Sequence, residues 1–364
     1  MNILALNSGS SSLKFGLYRV QASATETLLA QTVATADPQD AVTRVAGLLA
    51  RSGMPAPHAV GHRVVHGGPT LRRHCVIDDA VLRQLEAASA FAPLHTPAAL
   101  AVIRYAQGHF AGLPQVACFD TSFHVGLPEA ARVLPIAREL RAQGIQRYGF
   151  HGLSLESIVR QLGPGLPPRV VIAHLGNGAS VTAVKQGHSI DTSMGLTPTG
   201  GVVMGTRSGD LDPGVLVYLA REKKFDAAML ETLVDHHSGL LGISGVDSDM
   251  RRLHEAAAAN PDARLAIEMF CQSVRKQIAA MITVLDGLDL LVFTGGIGEN
   301  DARVRTAVCA GLRWIGVSLD ESRNHSASNP IHDGASRCAV QVLASQEDEQ
   351  IARHTGALVT ARLA

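Results

Sequence analysis

Short apolar runs that end in clusters of small polar residues set the rhythm of this chain. Residues 3–16, ILALNSGSSSLKFG, read as an apolar run, a tight Ser/Gly cluster and a second run of β-type residues. Residues 171–184, VIAHLGNGASVTAV, repeat the arrangement near the middle. Each pattern predicts strand, polar turn, strand. Small residues in such a turn let backbone N–H groups approach a phosphate, and Gly can take the positive φ required. Two such turns at corresponding places suggest a duplicated domain with phosphate loops facing one cleft.

Between and beyond these segments the period changes to that of helices. Thr96-Pro97 can supply N-cap and first-turn residues to an apolar stretch through Phe110, and Asp212-Pro213 does the same before Val215–Ala220. Over 262–286, Leu265, Ile267, Met269, Phe270, Val274, Ile278, Met281, Ile282 and Leu285 fall at helical spacing, and Gly287 ends the helix. Leu290–Thr294 predicts a buried strand running into a Gly loop, Gly295–Asn300, with a further helix from near Asp301. Strand, Gly loop and helix at the carboxyl end of a sheet is where open α/β folds bind nucleotides. The chain closes with a strand at Val340–Ala344, an acidic turn and a helix from near Glu347.

A length of 364 residues predicts two domains, and 46% hydrophobic residues suffice for their cores. Lys+Arg and Asp+Glu balance at 32 each, so no net field favours nucleic acid or an anionic membrane as partner. Cys75, Cys118, Cys271, Cys309 and Cys338 are odd in number and never spaced CxxC. That argues against a disulfide framework and a zinc site. The opening MNILALNSG has no basic leader, and its apolar run is shorter than a signal-peptide core. The longest apolar candidate for a membrane span, Ile278–Phe293, is broken by Asp286 and Asp289. A cytoplasmic protein is the expectation.

Several segments carry chemistry. In Gly61-His-Arg-Val-Val-His-Gly-Gly68 a guanidinium can sit at a strand end, where its planar fork matches a carboxylate or phosphoryl oxygen pair. Ala92-Pro-Leu-His95, Phe119-Asp-Thr-Ser-Phe-His124 and Arg147-Tyr-Gly-Phe-His-Gly152 each set ionisable residues beside apolar ones. The stretch from Asp191 to Asp210, continuing to Gly214, crowds Gly, Thr and Ser around Arg207. That composition packs poorly and suits wrapping a charged ligand, and structureless loops of this length are usually functional.

With these motifs in view the chain resembles the acetate kinases, the acetokinase branch of the actin-like ATPase superfamily. The resemblance runs the whole length: NSGSSSLKF at 7–15, GHRVVHGG at 61–68, FDTSFH at 119–124, RYGFHGLS at 147–154, HLGNGAS at 174–180, MGTRSGDLDPG at 204–214 and TGGIGEN at 294–300. It implies an α/β fold of two actin-like (ribonuclease H-like) domains flanking a central cleft, residues 1–120 with 348–364 and residues 121–347. It implies Asn7 and Glu347 as holders of Mg²⁺, which Mn²⁺ could replace. Ser10, Ser12 and Lys14 resemble the loop facing the nucleotide phosphates. Arg63 and Arg207 resemble the pair that binds the carboxylate and the phosphoryl group in flight, with His151 as transition-state stabiliser, His95 lining the site and Asp120 as the essential acid. His174, Leu175, Gly176, Asn177 and Gly178, then Asp249, Met250 and Arg251, then Gly295, Gly296, Ile297, Gly298 and Glu299 resemble the ATP-binding segments. Val65, Leu94, Phe150 and Pro198 would enclose the alkyl end of the substrate. A homodimer is implied by the family alone.

The implied reaction is reversible, ATP and acetate giving ADP and acetyl phosphate by direct in-line transfer. A carboxylate must approach a polyanion, so charge repulsion is the obstacle, and two arginines, a histidine and one Mg²⁺ counter it. Mg²⁺ takes one or two protein ligands, so an Asn and a Glu suffice. A carboxylate is already deprotonated at neutral pH, which leaves a general base little to do; Asp120 is expected to orient an arginine or a metal-bound water. Four features depart from the family pattern: a short 19–60 segment, Pro198-Thr-Gly-Gly201 in place of Pro-Leu-Glu-Gly, Met250 in Ser248-Asp-Met-Arg251, and Ser345-Gln-Glu-Asp-Glu349 in place of Thr-Asn-Glu-Glu. The rivals are a propionate kinase, a sugar kinase of the same superfamily, and a non-enzymatic actin-like ATP switch.

Overall fold

The computed structural model describes residues 1–9, 12–21, 24–35, 37–92 and 95–363. The first apolar run is buried on both faces. Ile3 and Ala5 pack to one side, Leu4 and Leu6 to the other, and the run forms the centre of a sheet. This strand, β1 (Asn2–Ser8), pairs antiparallel with β2 (Ser12–Val20), which pairs antiparallel with β3 (Thr25–Ala34). On its other side β1 runs parallel to β4 (Ala59–Val64). β5 (Cys75–Val76) and β6 (Gln115–Phe119) complete the order β3-β2-β1-β4-β6-β5.

The second sheet repeats that plan. β7 (Arg169–Leu175) pairs antiparallel with β8 (Ala179–Lys185), and β8 with β9 (His188–Thr192). On the other side β7 runs parallel to β10 (Leu290–Thr294), and β10 to β11 (Ala339–Val342). The order β9-β8-β7-β10-β11 therefore matches β3-β2-β1-β4-β6, a hairpin meander on one flank and parallel strands on the other.

Helices Pro38–Arg51 and Thr96–His109 cover one face of the first sheet through Val42, Val45, Val102 and Ala106. The C-terminal helix, Glu347–Leu363, covers the opposite face, setting Ile351, Ala352 and Val359 against Ile3, Ala5, Ala59 and Val116. It lies so close to β4 that a methyl on Gly61 would run into Thr355 Oγ1 and Ile351. The long helix Pro261–Leu285 is capped by Asn260, whose Oδ1 accepts from Asp262 and Ala263, and packs on β7 and β8.

Two local expectations change. The long helix ends on Asp286 in the left-handed conformation, one residue before Gly287. The segment Gly295–Asn300 is a short helix, not a loop; Gly295 at φ +78° makes the turn out of β10, and the next residues coil directly. Among the described residues no helix is long and apolar enough to cross a membrane.

Candidate active site

The carboxyl ends of the parallel strands of both sheets converge on a cleft of about 780 Å³. Arg63 is the penultimate residue of β4, Asp120 follows β6, Asn7 and His174 sit at the ends of β1 and β7, and Gly295 follows β10. Side chains at such strand ends point beyond the sheet, where open α/β folds bind ligands.

Arg63 donates from Nε to Asp120 Oδ1 at 3.1 Å and Oδ2 at 2.9 Å, and from Nη2 to Oδ2 at 2.6 Å. Its Nη1 donates to Asn7 Oδ1 at 3.2 Å. A guanidinium has five N–H groups, so each terminal nitrogen keeps one N–H without a protein acceptor in this set. Burial opposes the charge of Arg63, but Asp120 and Glu347 outweigh it and hold its pKa above the usual arginine range. Burial pushes the Asp120 carboxyl up to about 6, with Arg63 pulling the other way.

Arg207 enters from the second half. Its Nη2 lies 3.2 Å from His95 Nε2 and its Nη1 donates to the Pro198 carbonyl at 3.4 Å. Burial, then Arg207 and Arg63, lower the His95 pKa to about 4, so the neutral ring accepts from Arg207. His151 holds a left-handed conformation, φ 60°, ahead of helix Gly152–Leu162. A non-glycine residue there stores backbone strain, and such strain clusters at functional sites. Gly152 follows with no room for a side chain, because a Cβ would strike the Asp120 carbonyl that accepts its N–H at 2.8 Å.

The His151 ring is fixed by Nδ1 against Ser180 Oγ at 2.9 Å and stacks on His174, centroids 4.2 Å apart and planes 20° apart. His174 is itself held by Ser154 Oγ at 2.8 Å. Burial, then His174, Arg63 and Arg207, keep His151 well below the usual histidine range. The lowered pKa favours a neutral His151 edge that can hydrogen-bond, beside the charged guanidinium groups of Arg63 and Arg207. His151 Nε2 and Arg207 Nη1 approach the same point above Gly178, where an added Cβ would sit 3.2 Å and 3.4 Å from them.

The acidic turn brings oxygens to the other side of Arg63. Asn7 Nδ2 donates to Glu347 Oε2 at 3.2 Å and to Asp348 Oδ1 at 2.7 Å. Burial raises both carboxyls, but Arg63, His174 and Asn7 turn the balance for Glu347, which is lowered. Burial prevails for Asp348, which is raised. Two carboxylates side by side suit a hard divalent cation, and the Asn7 amide ties them to Arg63. In this arrangement the Asn7 oxygen faces Arg63, and its N–H₂ group faces the carboxylates.

Of the residues singled out from sequence, Asn7, Lys14, Arg63, Val65, His95, Asp120, Phe150, His151, His174, Gly176, Asn177, Gly178, Pro198, Arg207, Gly295, Gly296, Glu299 and Glu347 line the cleft together. Ser10 and Leu94 lie outside the described residues. Ser12, Leu175, Asp249, Met250, Arg251, Ile297 and Gly298 are not among the lining residues. Leu175 and Met250 are buried in the second core, Gly298 is buried in its helix, and Ile297 packs on that core. Asp249 caps the following helix by accepting from the Arg251 N–H, while the Arg251 guanidinium pairs back to it at 2.6 Å. Glu299 braces the site: its Oε1 accepts from the Gly295 and Ser345 N–H groups at 2.9 Å each. Asp348 joins Glu347 from the same acidic run, while Ser154 and Ser180 were missed and emerge only from pairing between elements.

Residues 26–353 match the sequence profile of the Acetokinase family. The chain belongs to the acetokinase family. A propionate kinase of Citrobacter rodentium is 42% identical, over 96% of this chain and 95% of the relative. An acetate kinase of Methylocella silvestris is 46% identical, over 83% of this chain and 75% of the relative. The crystal structure of a propionate kinase from Francisella tularensis subsp. tularensis superposes with a TM-score of 0.90 at 36% identity, covering 98% of this chain and 99% of that one. The two related sheets are thus the actin-like α/β fold. This acetokinase is a carboxylate kinase, transferring a phosphoryl group between ATP and a short-chain acid.

Proposed function

We propose that the enzyme phosphorylates acetate, reversibly and by direct in-line transfer, in the cleft between the two sheets. The observation that carries this reading is the convergence of Arg63 and Arg207, from opposite halves of the chain, with the His151 edge on one space. Two guanidinium groups would neutralise the incoming carboxylate and the charge on the transferring phosphoryl, while His151 donates a hydrogen bond. Asp120 is engaged by Arg63, which supports an orienting role and speaks against a base for a hydroxyl acceptor, as a sugar kinase would need. Glu347 and Asp348, tied to Arg63 through the Asn7 amide, would hold Mg²⁺, whose charge would offset that of the phosphates.

Val65, Phe150 and Pro198 would cradle the methyl group. Propionate is the second reading, favoured by a further hollow of about 500 Å³ beyond Pro198 that shares His95, Pro198 and Arg207 with the main cleft. We assign the chain two domains, residues 1–120 with 348–364 and residues 121–347, and place the enzyme in the cytoplasm. Helices Pro213–Glu222 and Ala227–His236 bury no side chain and expose Val217, Tyr218 and Met229, which supports a homodimer through this face. The deciding test is ATP-dependent hydroxamate formation with acetate and hydroxylamine. No hydroxamate from acetate, with product from a sugar or from no acceptor at all, would overturn the reading.

A further inference from the structure

One carboxylate outside the cleft ties together three elements that each lead into it. Glu156 lies in the first turns of helix Gly152–Leu162, which starts directly after His151. Its Oε2 is 2.5 Å from Nε2 of His354, on the C-terminal helix that begins with Glu347 and Asp348. The same oxygen is 3.8 Å from Nε2 of His74, whose other nitrogen, Nδ1, accepts the Phe119 N–H at 3.0 Å. Phe119 is the last residue of β6, immediately before Asp120. The two imidazoles face each other with centroids 4.0 Å apart, and all three side chains are largely withdrawn from solvent.

Two histidines and a carboxylate within 4.8 Å of one another could be a metal-ligand set. The tautomer of His74 speaks against that. The Phe119 N–H can only donate, so Nδ1 must be bare and the ring proton sits on Nε2, aimed at Glu156. A cation on Nε2 would drive that proton to Nδ1, where it would oppose the backbone N–H. Among the described residues the buried Nε2 of His74 has no hydrogen-bond partner, and it faces the Glu156 carboxylate across 3.8 Å. Burial would raise the Glu156 carboxyl, but His354 and His74 outweigh it and hold it at about 2. Other groups near this cluster include Ser122, whose Oγ lies 3.4 Å from His74 Nδ1 and donates to the Arg72 carbonyl, Gln350, 3.0 Å from His354 Nε2, and Arg160, engaged with Gln350, Gln346 and Glu349.

We propose that Glu156 is a positioning residue: as an anion shared by His354 and His74, it fixes the placement of Asp120, His151 and Glu347 relative to one another. This rests on the reading of those three as active-site groups. An Asn at position 74 keeps an acceptor where Nδ1 was and loses the reach to Glu156; a Gln does the reverse. Glu156→Gln and His74→Asn should each lower kcat by about 10- to 100-fold, the usual scale for groups that orient others, with KM for ATP and acid nearly unchanged. His74→Asn in the Glu156→Gln background should add little. In the full chain carrying ¹⁵N-histidine, the resonance lost in His74→Asn should report a bare Nδ1 and a protonated Nε2 across neutral pH.

Undiminished kcat in both variants, or lowered melting temperature with kcat intact, would overturn the proposal. So would an Nδ1–H tautomer, or a Co²⁺ absorption band that vanishes in His74→Asn. If the parent enzyme phosphorylates no short-chain acid, the functional reading fails instead, and the tautomer still judges the shared anion.

Discussion

Arg63 holds Asp120 with Nε and Nη2 at once, 2.9 Å and 2.6 Å from the same carboxylate oxygen, and the acid is all but inaccessible to solvent. The grip leaves the outer N–H groups of the guanidinium pointing away from Asp120, so the acid decides where the positive fork is presented. That relationship depends on Asp120 remaining ionised.

Burial raises the Asp120 carboxyl to about 6 despite Arg63, so the proton goes on as pH falls through that value. The sign is therefore a loss of kcat/KM on the acid side near pH 6, with full activity above. His95, lowered to about 4, and His151, lowered well below the usual range, stay neutral across this window and cannot supply the limb. A pH–rate profile on the free enzyme checks it. A profile flat down to about pH 5, far into the window where Asp120 would be protonated, would contradict the role given to Asp120.

Arg63→Ala and Arg207→Ala should each lower turnover by about 10²–10³, the usual cost of removing one stabilising group from such a site. Lysine should rescue the two positions unequally. At 63 a single ammonium cannot reproduce the two-pronged hold on Asp120 together with the Asn7 contact. At 207 the protein contacts are one His95 nitrogen and one carbonyl, which a point charge can approach. Steady-state kinetics of the four variants, with circular dichroism to verify folding, decide between this and a surface role.

Much of the fold could be read in advance because burial dictates pattern. Leu290–Thr294 had to be a buried strand, and the spacing from Leu265 to Leu285 had to be a helix. The Gly295–Asn300 segment defeated that reading because glycine density signals a loop locally. Only tertiary support, with Glu299 tying the Gly295 N–H to the Ser345 turn, lets it coil. The motifs placed Arg63, Asp120, His151 and Arg207 at the ends of strands and loops where they meet. They could not reveal that the His151 pKa is lowered, since that comes from burial and then from His174 stacked against it. Nor could they show that the Arg251 side chain is engaged by Asp249, a pairing made within one helix cap.

Metal dependence should expose the division of labour in the acidic turn. Asn7→Ala, Glu347→Ala and Asp348→Ala should each raise the Mg²⁺ concentration needed for half-maximal activity more than they raise KM for the acid. Asp348, its carboxyl raised by burial, keeps its proton to higher pH than an ordinary aspartate. Protons and cation then compete, so the Mg²⁺ requirement should fall as pH rises, and Asp348→Asn should flatten that dependence. Binding of Mn²⁺ followed by electron paramagnetic resonance separates affinity from turnover. Unchanged Mn²⁺ binding in both acid variants would remove the assignment.

Gly61→Ala tests the packing that brings the acidic turn to the site. The added methyl would collide with Thr355 and Ile351 of the C-terminal helix. Overpacking of this kind costs about 1–3 kcal/mol. The helix should shift outward, so thermal unfolding should begin lower and the Mg²⁺ requirement should rise in the same variant. A normal melting temperature would mean that the helix is not clamped against β4.

The choice of acid turns on the loop at Pro198. Val65 and Phe150 are buried and line the cleft, and an extra methylene in an apolar pocket is worth only about 1–3 kcal/mol. Acetate should therefore lead propionate by a modest factor in kcat/KM, with butyrate far behind. The Gly200 in place of the Glu of the Pro-Leu-Glu-Gly family pattern would by itself loosen the loop and favour propionate. The loop is nonetheless tied down on both sides: Thr199 Oγ1 donates to Asp235 Oδ1 at 2.5 Å, and the Gly201 N–H donates to Asp210 Oδ1 at 2.7 Å. Thr199→Ala should release Pro198 toward the neighbouring hollow and narrow the gap between acetate and propionate while leaving KM for ATP unaltered. Measuring kcat/KM for the three acids in parent and variant checks both statements. Propionate ahead in the parent would move the assignment to the second reading, and butyrate ahead would mean that Val65, Phe150 and Pro198 do not bound the acyl group.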